Sequence, residues 1–246
     1  MPEPPSRDFH LYGRRHGRPL RPGRRGLLET LLPAVELRLP EGGGAIDPAQ
    51  PFALQPGEAR PDEIWLEIGF GAGEHLAWQA AAHPGVGIIG CEPYRSGVAA
   101  LLSRIEAEGL RNVRILPDDA RPLLWRLVPA SLGRVFILFP DPWPKARHHR
   151  RRIVSRPVLD RLAAAMRDGA ELRLATDDVD YLRWMLALAA GHPAFEWQVR
   201  GPDDWRTRPP DWPPTRYEEK ALREGRRPAF LRFRRLPRSA GNAEAP

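Results

Sequence analysis

From residue 63 to residue 190 the chain repeats one pattern: a short apolar run, a turn, then a longer amphipathic stretch. The runs 63–68, 86–91, 113–116, 135–139 and 170–175 read as strands, with helices predicted over 74–83, 94–109, 120–128, 155–167 and 179–190. Such alternation admits few architectures. Strands joined by helical crossovers lie parallel, the crossovers are right-handed, and the helices cover both faces of an open sheet. Residues 195–199 and 230–233 add two strands, separated by a proline-rich loop that holds Trp205 and Trp212. The expectation is therefore an α/β protein with a seven-stranded, mostly parallel, Rossmann-like sheet.

The 246 residues suffice for one large domain with extensions. Residues 61–236 are assigned to that domain. Residues 1–25 carry arginines among Gly and Pro, with Phe9 and Tyr12 interleaved, and read as a flexible arm that orders on a partner. Residues 26–60 form an extension, with a short apolar helix or strand pairing at 27–39 and a Gly/Pro-rich linker at 41–60. Residues 237–246 read as a disordered tail. A net charge of +7 points to a polyanionic partner. Because 29 Pro and 22 Gly signal a codon bias that also inflates Arg, the location of the arginines carries more weight than their number. Cys91 is the single cysteine, so neither a disulfide nor a cysteine metal cluster is available within the chain. No apolar run has the length of a membrane span, and the N-terminus lacks the hydrophobic stretch of a secretory signal. A cytoplasmic protein with no membrane partner and no obligate protein partner is expected.

Open α/β sheets bind ligands at the carboxyl ends of their strands, and the polar motifs collect there. After the first strand comes Gly69-Phe70-Gly71-Ala72-Gly73, where glycines let the backbone approach a ligand closely. A dinucleotide fingerprint wants glycine at 74; Glu74 would repel a pyrophosphate, and Glu67 suits a cationic or amino-bearing ligand. Both favour S-adenosylmethionine over NAD. Glu92 closes the second strand where an acid accepts ribose hydroxyls, and Asp119 and Ala120 follow the third where adenine would sit, with Asp118 competing for the role. The fourth strand leads into Phe139-Pro140-Asp141-Pro142-Trp143-Pro144-Lys145. Two prolines of fixed φ aim Asp141, Trp143 offers a stacking face, and a basic run from Arg147 to Arg152 follows.

The stretches LEIGFGAGEHL, GCEPY, DDA, FPDPWPKARHHRRRI, LATDD and TRYEEKA together resemble the bacterial tRNA (guanine-N7)-methyltransferases of the TrmB family, over residues 7–235. The resemblance implies a class I methyltransferase sheet, S-adenosylmethionine as donor with no metal, and tRNA as substrate, methylated at the variable-loop guanine. It places Glu67, Gly69, Gly71, Gly73, Glu92, Asp119, Ala120 and Asp141 at the donor, with Asp141 also catalytic. It places Lys145, Asp177, Thr215, Arg216, Tyr217 and Glu218 at the substrate, and Arg147, Arg150, Arg151 and Arg152 on the RNA. A D-P-P-W-like turn also marks exocyclic-amine methyltransferases; T-x-Y-E argues for the guanine-N7 reading.

Overall fold

The structure is a computed structural model that describes residues 12–13, 15–17, 19–52 and 60–238. Its sheet is built from β1 (Glu63–Ile68), β2 (Val86–Cys91), β3 (Val113–Leu116), β4 (Leu132–Leu138), β5 (Met166–Thr176), β6 (Phe195–Trp197) and β7 (Ala229–Arg235). The order across the sheet is β3-β2-β1-β4-β5-β7-β6. The first five strands pair in parallel, and β7 inserts antiparallel between β5 and β6. Strand order reverses between β1 and β4, so a crevice opens at their carboxyl ends.

Side-chain alternation sorts the core into two layers. Ile64, Leu66, Ile89, Val135, Ile137 and Leu172 face α5 (Arg121–Leu124), α6 (Arg156–Ala165) and α7 (Val179–Ala190). Trp65, Ile88 and Phe136 face the other way, against α3 (Glu74–Ala82) and α4 (Arg95–Glu108). α1 (Pro22–Thr30) packs onto α4, and α2 (Leu32–Val35) packs against α1 and β3, with Leu27, Leu28, Leu31 and Val35 joining this layer of the core.

Several expected boundaries move, each for a visible reason. The helix expected over 120–128 is only one turn, because Ile46 of the extension bridges Leu127, its N–H donating to the Arg126 carbonyl. The linker expected at 41–60 contributes Ile46, Ala49 and Phe52 to the core; residues 53–59 lie outside the described residues. The helix expected to reach 167 ends at Ala165, since Met166 pairs with Leu132 and begins β5. The expected arm boundary at 25 falls inside α1, which starts at Pro22, a residue preorganised for a first helical turn. Within the expected tail, Arg238 pairs with Asp168; residues 239–246 lie outside the described residues. The proline-rich loop before β7 contains α8 (Asp203–Arg206) and α9 (Arg216–Arg223). Among the described residues no helix is long and apolar enough to cross a membrane.

Candidate active site

The crevice between β1 and β4 holds a cavity of about 680 Å³. Its floor is formed by Gly69 and Gly71 of the turn after β1; Gly69, Gly71 and Gly73 have φ of 75°, 58° and 75°, but Gly73, expected at the donor, lies outside the cavity wall and packs against Leu101 instead. Only glycine adopts such angles at no steric cost. Gly71 is doubly constrained, because a Cβ there would stand 2.8 Å from the ring of Tyr217. Its N–H donates to Glu92 Oε2 at 2.8 Å, while Oε1 accepts from the Tyr94 N–H at 2.9 Å. Each carboxylate oxygen of Glu92 is fixed and keeps a lone pair for a ligand. Burial pushes the Glu92 pKa up, the two backbone N–H groups pull it down, and the Asp141 charge adds to the rise.

Beyond β3, Asp119 accepts from the Arg121 N–H at 2.9 Å and forms an ion pair with the Arg121 guanidinium. Asp118 is taken by Arg15, 2.7 Å away. Asp119 and Ala120 both border the cavity. So does Cys91, whose thiol pKa is raised by burial and by Asp119 and Glu92 nearby.

The opposite wall is the segment after β4. Phe139 and Trp143 have φ of 50° and 47°, left-handed angles that cost non-glycine residues on the order of 1–3 kcal/mol each. The two strained residues bracket Pro140-Asp141-Pro142 and turn Asp141 into the cavity mouth. The bend is held from behind. Arg152, only 3% exposed, donates from Nε to the Pro142 carbonyl at 2.8 Å and pairs with Asp180 on α7. The carboxylate of Asp141 has no hydrogen bond or ion pair with any described residue. Around the cavity Glu92, Asp118, Asp119 and Asp141 stand against Arg121 and Arg151. That acidic excess rejects a dinucleotide's phosphates and fits a cationic, nucleoside-bearing donor.

The basic run divides. Lys145, Arg147 and Arg150 are exposed, and their side chains have no hydrogen bond or ion pair with a described residue. Arg151 folds back over Trp143, 4.9 Å from the ring, and borders the cavity. Arg152 faces the interior, which corrects its expected place on the RNA surface: it is the brace of the Asp141 bend. The His148 pKa is pushed down by desolvation and then by Arg151 and Arg147, which favours its neutral form.

The T-R-Y-E run opens α9. Thr215 Oγ1 accepts from the Glu218 N–H at 3.3 Å as its N-cap. Tyr217 reaches the cavity while Arg216 turns to Glu74, 3.7 Å away. Glu218 is buried, its pKa raised by desolvation and partly restored by Arg208 at 3.1 Å. Asp177, just past β5, is held by Arg226 at 2.7 Å. Glu67 departs from expectation. It shares the face of Trp65, lies outside the cavity wall, and its Oε2 stands 2.7 Å from His75 Nδ1, both side chains buried. Gln79 links His75 Nε2 to the Asp211 carbonyl, tying this buried pair to the loop before α9.

Residues 61–231 match the family model described as "Putative methyltransferase". A tRNA (guanine-N(7)-)-methyltransferase of Rhodospirillum rubrum is 53% identical over 250 residues, covering 100% of this chain and 96% of that protein. The chain belongs to the bacterial tRNA (guanine-N7-)-methyltransferase family. Further members of the family, from Paramagnetospirillum magneticum and Paracoccus denitrificans, are each 47% identical over 93% and 95% of the chain. The sheet order is accordingly that of a class I methyltransferase, an enzyme of Rossmann-like fold. Sequence reasoning gave no role to Tyr94, although it closes the GCEPY stretch, nor to Arg208 and Arg226, which hold Glu218 and Asp177 and stand in no motif of their own. It also missed the cap role of Thr215, although T-x-x-E is a capping-box signature.

Proposed function

We propose that this chain transfers the methyl group of S-adenosylmethionine to N7 of a tRNA guanine, at position 46 of the variable loop, giving 7-methylguanosine. The observation that carries the reading is Asp141, a carboxylate with no hydrogen bond or ion pair to a described residue, aimed by strained backbone into the mouth of an acidic cavity that Tyr217 also borders. S-adenosylmethionine, when bound, supplies an electrophilic methyl on a sulfonium. Guanine N7 carries a lone pair and no proton, so the protein needs no general base there. Its task is positioning and stabilisation of charge.

Glu92 has the free lone pairs to accept the two ribose hydroxyls, and Asp119 with the Ala120 N–H suits the adenine edge. Asp141 orients the guanine through its N–H groups and favours the positive charge that grows on the purine. Asp177 and Glu218 share the Watson–Crick edge, each already neutralised by an arginine, so neither charge repels the RNA. Lys145, Thr215, Arg216 and Tyr217 place the nucleotide. Arg147 and Arg150 take backbone phosphates, and Arg152 holds the bend. A cytoplasmic site of action follows from a tRNA substrate. Among the described residues no group of three or more His, Cys, Asp or Glu is placed to hold a metal, and the reading needs none.

The test is incubation with methyl-labelled S-adenosylmethionine and unmodified tRNA, followed by digestion to nucleosides. Label in 7-methylguanosine is expected, and it should vanish when guanine 46 is replaced by adenine. Label in another nucleoside, or in none, defeats the proposal.

A further inference from the structure

The arginine-rich composition of the N-terminal arm marks it as an RNA-seeking segment, yet its described residues sit elsewhere. Tyr12 and Gly13 border the donor cavity. The Arg151 guanidinium lies 4.7 Å from the Tyr12 ring and 4.9 Å from Trp143, and the two rings meet edge to face at 6.5 Å. Arg15 Nη2 donates to Asp118 Oδ1 at 2.7 Å, and the Arg15 carbonyl accepts from the Arg95 N–H at 3.0 Å. Gly17 lies against Tyr94 so closely that a Cβ would fall 1.9 Å from the phenol oxygen. These contacts fasten one short strap to the loops that follow β2, β3 and β4.

We propose that Tyr12, Gly13 and Arg15 form the outer wall of the donor site. The strap closes over the nucleoside of the donor, with Arg15 and Asp118 as its clasp and the Tyr12–Arg151–Trp143 contact as its seal. This rests on the cavity being the S-adenosylmethionine site. Closure removes water from beside Glu92 and Asp141, which strengthens their attraction for a sulfonium. The strap must open for the product to leave, so it governs dissociation more than association. Asp118 then serves the donor indirectly, by holding Arg15, which leaves the adenine to Asp119. Arg151 likewise belongs to the donor wall and not to the RNA-facing rim.

S-adenosylhomocysteine binding to the full chain, measured without RNA, tests the wall. Tyr12→Ala should weaken it by about tenfold, mainly through faster dissociation, while Tyr12→Phe keeps it, because the ring makes the seal. Arg15→Gln and Asp118→Asn should weaken it equally, and the double variant no further, since both break one contact. Loss in Asp118→Asn alone would mean that Asp118 grips the ligand directly and would overturn the clasp. Normal affinity in Tyr12→Ala and Arg15→Gln, with Glu92→Gln impaired, would overturn the strap and spare the function. Normal affinity in Glu92→Gln as well would remove the donor from this cavity and take the functional reading with it. A Tyr12→Ala variant that loses tRNA but not S-adenosylhomocysteine would make the arm an RNA contact and overturn the proposal.

Discussion

The two sides of the cavity mouth treat charge in opposite ways. On the side proposed for the donor, Glu92, Asp118 and Asp119 already have partners in backbone N–H groups or arginines. On the side proposed for the substrate, Lys145, Arg147 and Arg150 stand in solvent without such partners among the described residues, and between the two regions so does Asp141. A small ligand of fixed shape rewards groups held in advance, because their ordering is complete before binding. A polynucleotide rewards exposed cations, since much of its affinity comes from counterions released as phosphates are neutralised. Asp141 lies where the demands meet: its backbone is held at strained neighbours and its carboxylate has no partner among the described residues.

The largest break in that contrast should come at Asp141. Asp141→Ala should lower turnover on tRNA by on the order of 10²- to 10³-fold. S-adenosylhomocysteine binding should change far less; an equal loss in both would make Asp141 a donor ligand only. Next comes Gly71→Ala, which forces a left-handed angle on alanine and pushes a methyl against Tyr217. A loss of roughly 2–3 kcal/mol in donor binding, seen by calorimetry, is expected. Normal binding would show that Tyr217 and the glycine turn are not a matched pair.

The third concerns protons. Burial raises the Glu92 pKa above the ordinary glutamate value, and only the ionised carboxylate accepts both ribose hydroxyls. Donor affinity should therefore fall as the pH drops through that raised pKa, earlier than for an exposed glutamate. The Asp141 charge contributes to the rise, so Asp141→Asn should move the fall to lower pH; an unmoved midpoint would uncouple the two acids. The smallest effect belongs to the rim. Arg147→Gln with Arg150→Gln should reduce the salt dependence of tRNA binding by about one unit of slope per lost phosphate contact. Donor affinity should stay level, and a parallel loss would move those arginines to the donor side.

The sheet could be read from the sequence because strand and helix periods differ and the glycine turn punctuates them. What distance brings together could not. Arg15 meets Asp118 across 103 positions, and no local pattern announces that pair. The four arginines from 147 to 152 look alike in one dimension; the tight helical turn over Ala146–Arg151 sends two outward and leaves Arg151 and Arg152 facing in. Glu67 was legible in principle, since a period of two puts it on the face of Trp65, away from Leu66 and Ile68. The helix α9 was obscured by the prolines before it, even though Thr215 and Glu218 spell its start.

Cys91 gives the cavity one more property. A thiolate is a strong nucleophile, and this residue borders the cavity that we propose receives a sulfonium. Burial and the nearby carboxylates raise the thiol pKa and so favour the protonated, unreactive form. On that proposal, the negative field that would welcome a sulfonium also disfavours the thiolate that it could alkylate.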